Sequence, residues 1–316
     1  MRRGLLAIAC LAVALFSLQC FAQSPRCRLV RIAEWPVRFE GELPVVEGAI
    51  NGRKINVLLD TGAYASLLTR AAADRMGLAT RGNYESMQGF GGESEVGTTR
   101  LEELYVAGAV RNNVRVRVGG ERPIPGVDFI LGDDFFRNAD MEFDYAHGVV
   151  RLFQPKDCRD APLAYWDPAA PSVAIEDDNK IVIGIQVNGK SALALIDSGA
   201  SGSVVHLAFA AKVGVTPQSA GVVPGGCGAG IGANAVRQWI APFETIEIQG
   251  ETIRAARLAI ADFTPELARL SPEVILGTDF LRAHRVMVAR SQRKLYFTYL
   301  GGQVFPARTS RDCPGG

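Results

Sequence analysis

Two aspartates stand at the ends of apolar runs in strings that nearly repeat. They are Val57-Leu58-Leu59-Asp60-Thr61-Gly62-Ala63 and Ala194-Leu195-Ile196-Asp197-Ser198-Gly199-Ala200, 137 residues apart. An apolar run of this kind followed by Thr-Gly or Ser-Gly reads as a buried strand that ends in a tight loop, so each carboxylate is held at a strand end. Brought face to face, two such carboxylates cannot both ionise easily and come to share one proton. The pair is then one acid and one base. Its ionised member takes a proton from water as the water attacks a carbonyl, and its protonated member donates to the carbonyl oxygen. The two apparent pKa values belong to the pair rather than to either residue. Gly62 and Gly199 allow close backbone approach beside the carboxylates.

Asp followed by Thr or Ser and then Gly is common: at average residue usage, one copy in a chain this long is about a one-in-ten event. Here the match extends further. Asn51-Gly52 and Asn188-Gly189 share the offset of 137, as do Gly77 and Gly214. Phe129-Ile130-Leu131-Gly132-Asp133-Asp134-Phe135-Phe136 answers Val274-Ile275-Leu276-Gly277-Thr278-Asp279-Phe280-Leu281 at an offset of 145. The chain is an internal repeat with eight residues added to its second half, and the Gly-rich stretch Pro224 to Gly232 is the expected place for them, since insertions belong in loops.

These motifs resemble those of the retropepsin-like aspartic proteases, in particular the tandem, single-chain bacterial members, over nearly all of residues 45 to 300. The resemblance implies an all-β fold with short helices, as two pepsin/retropepsin-like barrels with the active site between homologous lobes. It further implies an aspartic endopeptidase with Asp60 and Asp197 as catalytic residues. Thr61 and Ser198 would form a cross-lobe hydrogen-bond lock beneath them. The glycine-hinged strings Gly89-Phe90-Gly91-Gly92 and Gly230-Ile231-Gly232 look like paired flap tips, with ordinary surface turns as the plainer reading. Many pepsin-like enzymes carry a hydroxyl residue where this chain has Ala63 and Ala200. Without that hydrogen bond to the anion, a mildly acidic to neutral optimum is expected. A noncatalytic exported peptide-binding protein on the same fold is the alternative function.

Residues 1–22 read as a signal peptide: Arg2-Arg3, an apolar stretch Gly4 to Leu18, then Cys20-Phe21-Ala22 as a cleavage site. The expectation is a periplasmic or secreted protein beginning at Gln23, with a lipid anchor at Cys20 as the alternative. The apolar stretch is shorter than the ~20 residues of a spanning helix. Removing the leader leaves Cys27, Cys158, Cys227 and Cys313, which allow three disulfide pairings in an oxidising compartment. No Cys-x-x-Cys pair exists and His147, His206 and His284 are far apart, so no metal or other cofactor is expected. Gly228-Ala229-Gly230 is too short and too interrupted for a dinucleotide loop. The acids Asp133-Asp134, Asp177-Asp178 and Asp140 to Asp144 fit no calcium loop. A formal charge of +1 gives no reason to expect nucleic acid or an anionic membrane as partner. A peptide or protein substrate is the expected partner, and one chain suffices for the site.

The repeat sets the organisation: a first lobe over residues 35–155, a proline-punctuated linker over 156–172, a second lobe over 173–300 and a tail over 301–316. Alternation in Val114 to Val118 and the apolar run from Ile181 to Val187 predict strands. Leu67 to Met76 and Val204 to Val213, stopped by Gly77 and Gly214, predict short helices.

Overall fold

A computed structural model describes residues 27–263, 271–306 and Cys313. The leader, Cys20 and most of the tail after Phe305 lie outside the described residues. The fold is mainly β, built as two lobes of the bilobal, retropepsin-like kind expected from the repeat. The first lobe is an eight-stranded sheet and the second a seven-stranded sheet, each folded back so that its first long hairpin pairs with a later strand.

The two lobes repeat each other in detail. Arg53–Leu59 runs parallel to Phe129–Leu131, as Lys190–Ile196 does to Val274–Leu276. These central strands are apolar because both of their faces are covered. Each aspartate-bearing strand is entered from a two-residue hairpin turn, Asn51-Gly52 or Asn188-Gly189, in which all four residues have positive φ. Asn-Gly suits that turn because both residues tolerate the left-handed region.

The helices begin later than their sequence pattern predicts. Leu67–Thr69 and Val204–His206 are short strands, and the helices span Arg70–Met76 and Leu207–Lys212. Each strand is buried between two neighbours, so apolar residues fill it whichever periodicity is read. Thr69 then caps its helix by accepting from the Ala72 amide, and Gly77 closes it at φ 67°.

The eight additional residues of the second half do not sit together in the Gly-rich stretch. Leu78 and Val215 are still equivalent, each donating its amide to a helix carbonyl, Ala73 or Ala210. By the next strand the offset is already 142: Arg81 pairs with Thr98 as Val223 pairs with Ile240. Most of the insertion therefore lies in the turn before Val223, and the rest falls between Ala261 and Val274.

A third sheet of six strands binds the lobes together. It runs in the order Arg28–Pro36, Val149–Lys156, Asp140–Asp144, His284–Ala289, Lys294–Tyr299, Ser172–Ala174. Its central pairing sets Met141 and Phe143 of the first half opposite Val288 and Val286 of the second. The residues before 35 are thus part of the fold, and Arg28–Pro36 covers an edge of this sheet. Disulfides join Cys27 to Cys158 and Cys227 to Cys313. The first ties that strand to the end of the first half, and the second ties the chain end to the strand Val223–Gly228.

Candidate active site

Asp60 and Asp197 stand just past the ends of equivalent strands, and each backbone amide continues the parallel ladder by donating to Leu131 or Leu276. The side chains meet between the lobes and share a hydrogen bond. One oxygen of each is held by the adjoining loop. Ala63 N–H donates to Asp60 Oδ1 at 2.8 Å, and Gly199 and Ala200 donate to Asp197 Oδ1 at 2.9 and 3.1 Å. Main-chain amides thus orient both carboxylates, with alanine at residues 63 and 200.

Beneath the pair, the hydroxyls of Thr61 and Ser198 form a reciprocal lock. Thr61 Oγ1 donates to the Ile196 carbonyl at 2.8 Å and accepts from the Ser198 amide at 3.0 Å. Ser198 Oγ donates to the Leu59 carbonyl at 2.8 Å and accepts from the Thr61 amide at 3.1 Å. Both residues are fully buried, so each bond ties one lobe to the other without competition from water.

The glycines make the approach possible. A Cβ at Gly62 would overlap the Asp197 carboxyl group, and one at Gly199 would overlap that of Asp60. Each carboxylate therefore lies against the opposite lobe's glycine. Behind the loops, Gly132 and Gly277 pass so close to Ala65 and to Ala200 with Gly202 that a side chain would clash there too.

Burial, and then the facing Asp197 carboxylate, push the pKa of Asp60 up to about 7. Asp197 is also raised by burial, while the Lys180 charge and the Gly199 and Ala200 amides favour its ionised form. The pair thus keeps a proton up to about pH 7.

The predicted tips also come together. Arg81–Gly89 and Gly92–Val106 form one hairpin, and Val223–Gly228 and Val236–Ile248 the other. Gly232 N–H donates to the Phe90 carbonyl at 3.2 Å, and Asn234 N–H donates to that of Gly91 at 2.9 Å. A Cβ at Gly89, Gly91, Gly230 or Gly232 would strike the opposite tip. Phe90 crosses over to stack on Phe263 of the second lobe, with ring centroids 6.3 Å apart, while Ile231 packs over Gly89 against an apolar cluster of the first lobe. Gly228-Ala229-Gly230 leads into a strand rather than the helix a dinucleotide loop would need.

Other singled-out residues take structural places. Asp133, Asp140, Asp144 and Asp177 are buried. Asp134 accepts from the Ser66 amide and hydroxyl, and Asp178 pairs with Arg293. His147 pairs with Asp144, His206 caps a helix through Ala208 N–H, and His284 is buried against the Phe280 ring. Among the described residues no cluster of His, Cys, Asp or Glu is arranged to hold a metal ion, and no helix is long and apolar enough to cross a membrane.

Lys180 escaped the sequence reading. It is fully buried, and its Nζ donates to the Gly62 carbonyl. A comparison of the two halves residue by residue marks it: a lysine heads the apolar run Ile181-Val182-Ile183 where the first half has Leu43.

Two homologous β lobes with strand-end aspartates sharing a hydrogen bond between them define a bilobal acid-protease arrangement. Residues 46–138 and 183–283 each match the family described as gag-polyprotein putative aspartyl protease, and together they make up more than half of the chain. The protein belongs to this aspartyl protease family, as a tandem member with both repeats in one chain. No curated protein matches it.

Proposed function

We propose that the protein is an exported aspartic endopeptidase in which Asp60 and Asp197 act as one catalytic pair. The observation that carries this reading is the shared hydrogen bond between the two carboxylates, held over a lock contributed equally by both lobes. Asp197 takes a proton from water as the water attacks the scissile carbonyl. Asp60 donates its proton to the carbonyl oxygen, and the tetrahedral species then collapses with protonation of the leaving amine. The substrate is an extended peptide with apolar residues flanking the cut. The two hairpin tips are flaps that part to admit it and close to exclude water. One chain supplies the complete site.

Export rests on the leader-like residues 1–22, and the two disulfides suit an oxidising compartment. Cut-site mapping by mass spectrometry on a peptide library tests the activity. Wild type is expected to cleave between apolar residues, with a rate that falls as pH rises through about 7, and Asp60→Asn is expected to leave the library intact. Peptides retained uncut by both proteins would instead indicate a noncatalytic exported peptide-binding protein.

A further inference from the structure

The lobes repeat each other, yet the charges behind the two aspartate loops do not. Behind the first loop, Lys180 Nζ donates to the Gly62 carbonyl and Asp133 N–H donates to the Ala63 carbonyl at 2.9 Å. Asp133 in turn pairs with Arg290, and its other oxygen lies 3.8 Å from Arg137. Behind the second loop, the position of Asp133 is taken by Thr278, whose amide donates to the Ala200 carbonyl in the same way. The position of Lys180 is taken by Leu43. Arg290 opens a single helical turn after its strand, and the residue that opens the equivalent turn in the first half is Tyr145. Lys180, Asp133 and Arg290 thus form a charged set on one side of the dyad, with a leucine, a threonine and a tyrosine on the other.

Lys180 is almost completely inaccessible, and its own amide is anchored by Asp177 Oδ1 at 3.2 Å. The charged groups that act on its ammonium are Asp60, Asp197, Asp133 and Arg290. Burial lowers its pKa, and the carboxyl groups of Asp60, Asp197 and Asp133 oppose that fall. The Gly62 it grips is the residue against which the Asp197 carboxylate rests, whereas the Asp60 carboxylate rests against Gly199.

We propose that Lys180 is a positioning residue that grips the first aspartate loop through Gly62 and serves as the buried cation that lets the dyad ionise, from one side of an otherwise repeated site. The dyad is then asymmetric before any substrate arrives. A buried cation near a carboxylate favours its charged form by roughly one to three pH units. Without Lys180 both dyad ionisations move to higher pH.

The proposal rests on the peptidase reading for its kinetic consequence but not for its electrostatic one, and the test separates them. Carboxyl 13C shifts of labelled aspartates are followed against pH in wild type, Lys180→Met and Lys180→Arg, with Asp60→Asn and Asp197→Asn assigning the signals. Peptide cleavage is measured on the same samples. In Lys180→Met both titrations move up by about one unit or more, and kcat/KM on the acid limb falls about tenfold at a fixed pH. Lys180→Arg keeps the charge and is expected to return both titrations toward their wild-type positions.

Titrations unmoved in a folded Lys180→Met protein overturn the proposal whatever the activity. A uniform loss of rate with unshifted limbs also overturns it, since that is what a purely structural lysine gives. Titrations that shift in a protein without peptidase activity would uphold Lys180 and reject the endopeptidase.

Discussion

Asp60 is kept protonated by its surroundings, and that has a consequence for stability as well as for chemistry. Its folded-state pKa is near 7, against an ordinary value of 3.8. The folded protein therefore binds this proton more tightly than the unfolded chain. The associated stability is fully present below pH 4 and is lost as pH rises through about 7. Asn at this position cannot ionise, so Asp60→Asn is expected to be more stable than wild type at pH 8, by roughly 4 kcal/mol, and equal to it below pH 4. Urea unfolding at the two pH values checks this, and a difference that does not change with pH would refute it. At this scale the sequence is most informative for Asp60 and Asp197, because the motif repeats. It is least informative for Lys180, whose meaning depends on which carbonyl its ammonium reaches across 118 residues of chain.

The elements that carry the site are short strands ending in loops, locked in pairs. Ser198 Oγ both donates to the Leu59 carbonyl and accepts from the Thr61 amide, in a place without water access. Ser198→Ala leaves both of those main-chain groups without a partner, and the expected cost is about 1–3 kcal/mol. Equilibrium unfolding measures it, and a change below about 0.5 kcal/mol would show that the lock does not hold the lobes. The helix starts differ from the sequence pattern in both repeats for one reason. Leu67-Leu68-Thr69 and Val204-Val205-His206 carry apolar residues that suit a helix face and a buried strand equally. Their parallel partners lie dozens of residues away, at Arg117 to Gly119 and Ala259 to Ala261. The hairpin tips are legible as glycine-hinged turns, but the exchange of Phe90 and Ile231 between lobes comes from the tertiary approach of the two hairpins.

At the scale of the molecule, the repeat makes the two-lobed plan readable and leaves its closure hidden. The six-stranded sheet joins residues of the 140s to residues of the 280s and recruits the strand Arg28–Pro36, none of which a repeat within each half encodes. The disulfides are open among three pairings in the sequence, and the fold decides between them by bringing Cys27 beside Cys158 and Cys227 beside Cys313. That frame fixes the two lobes against each other. The central claim is that Asp60 and Asp197 are equally necessary members of a single catalytic pair. Its most direct test is the rate of peptide cleavage by Asp60→Asn and Asp197→Asn, each alone, against wild type at pH 6. Each variant is predicted to lose at least about 10²–10⁴-fold in kcat, because each loses one partner of the shared proton. Wild-type rates in either variant would contradict the account.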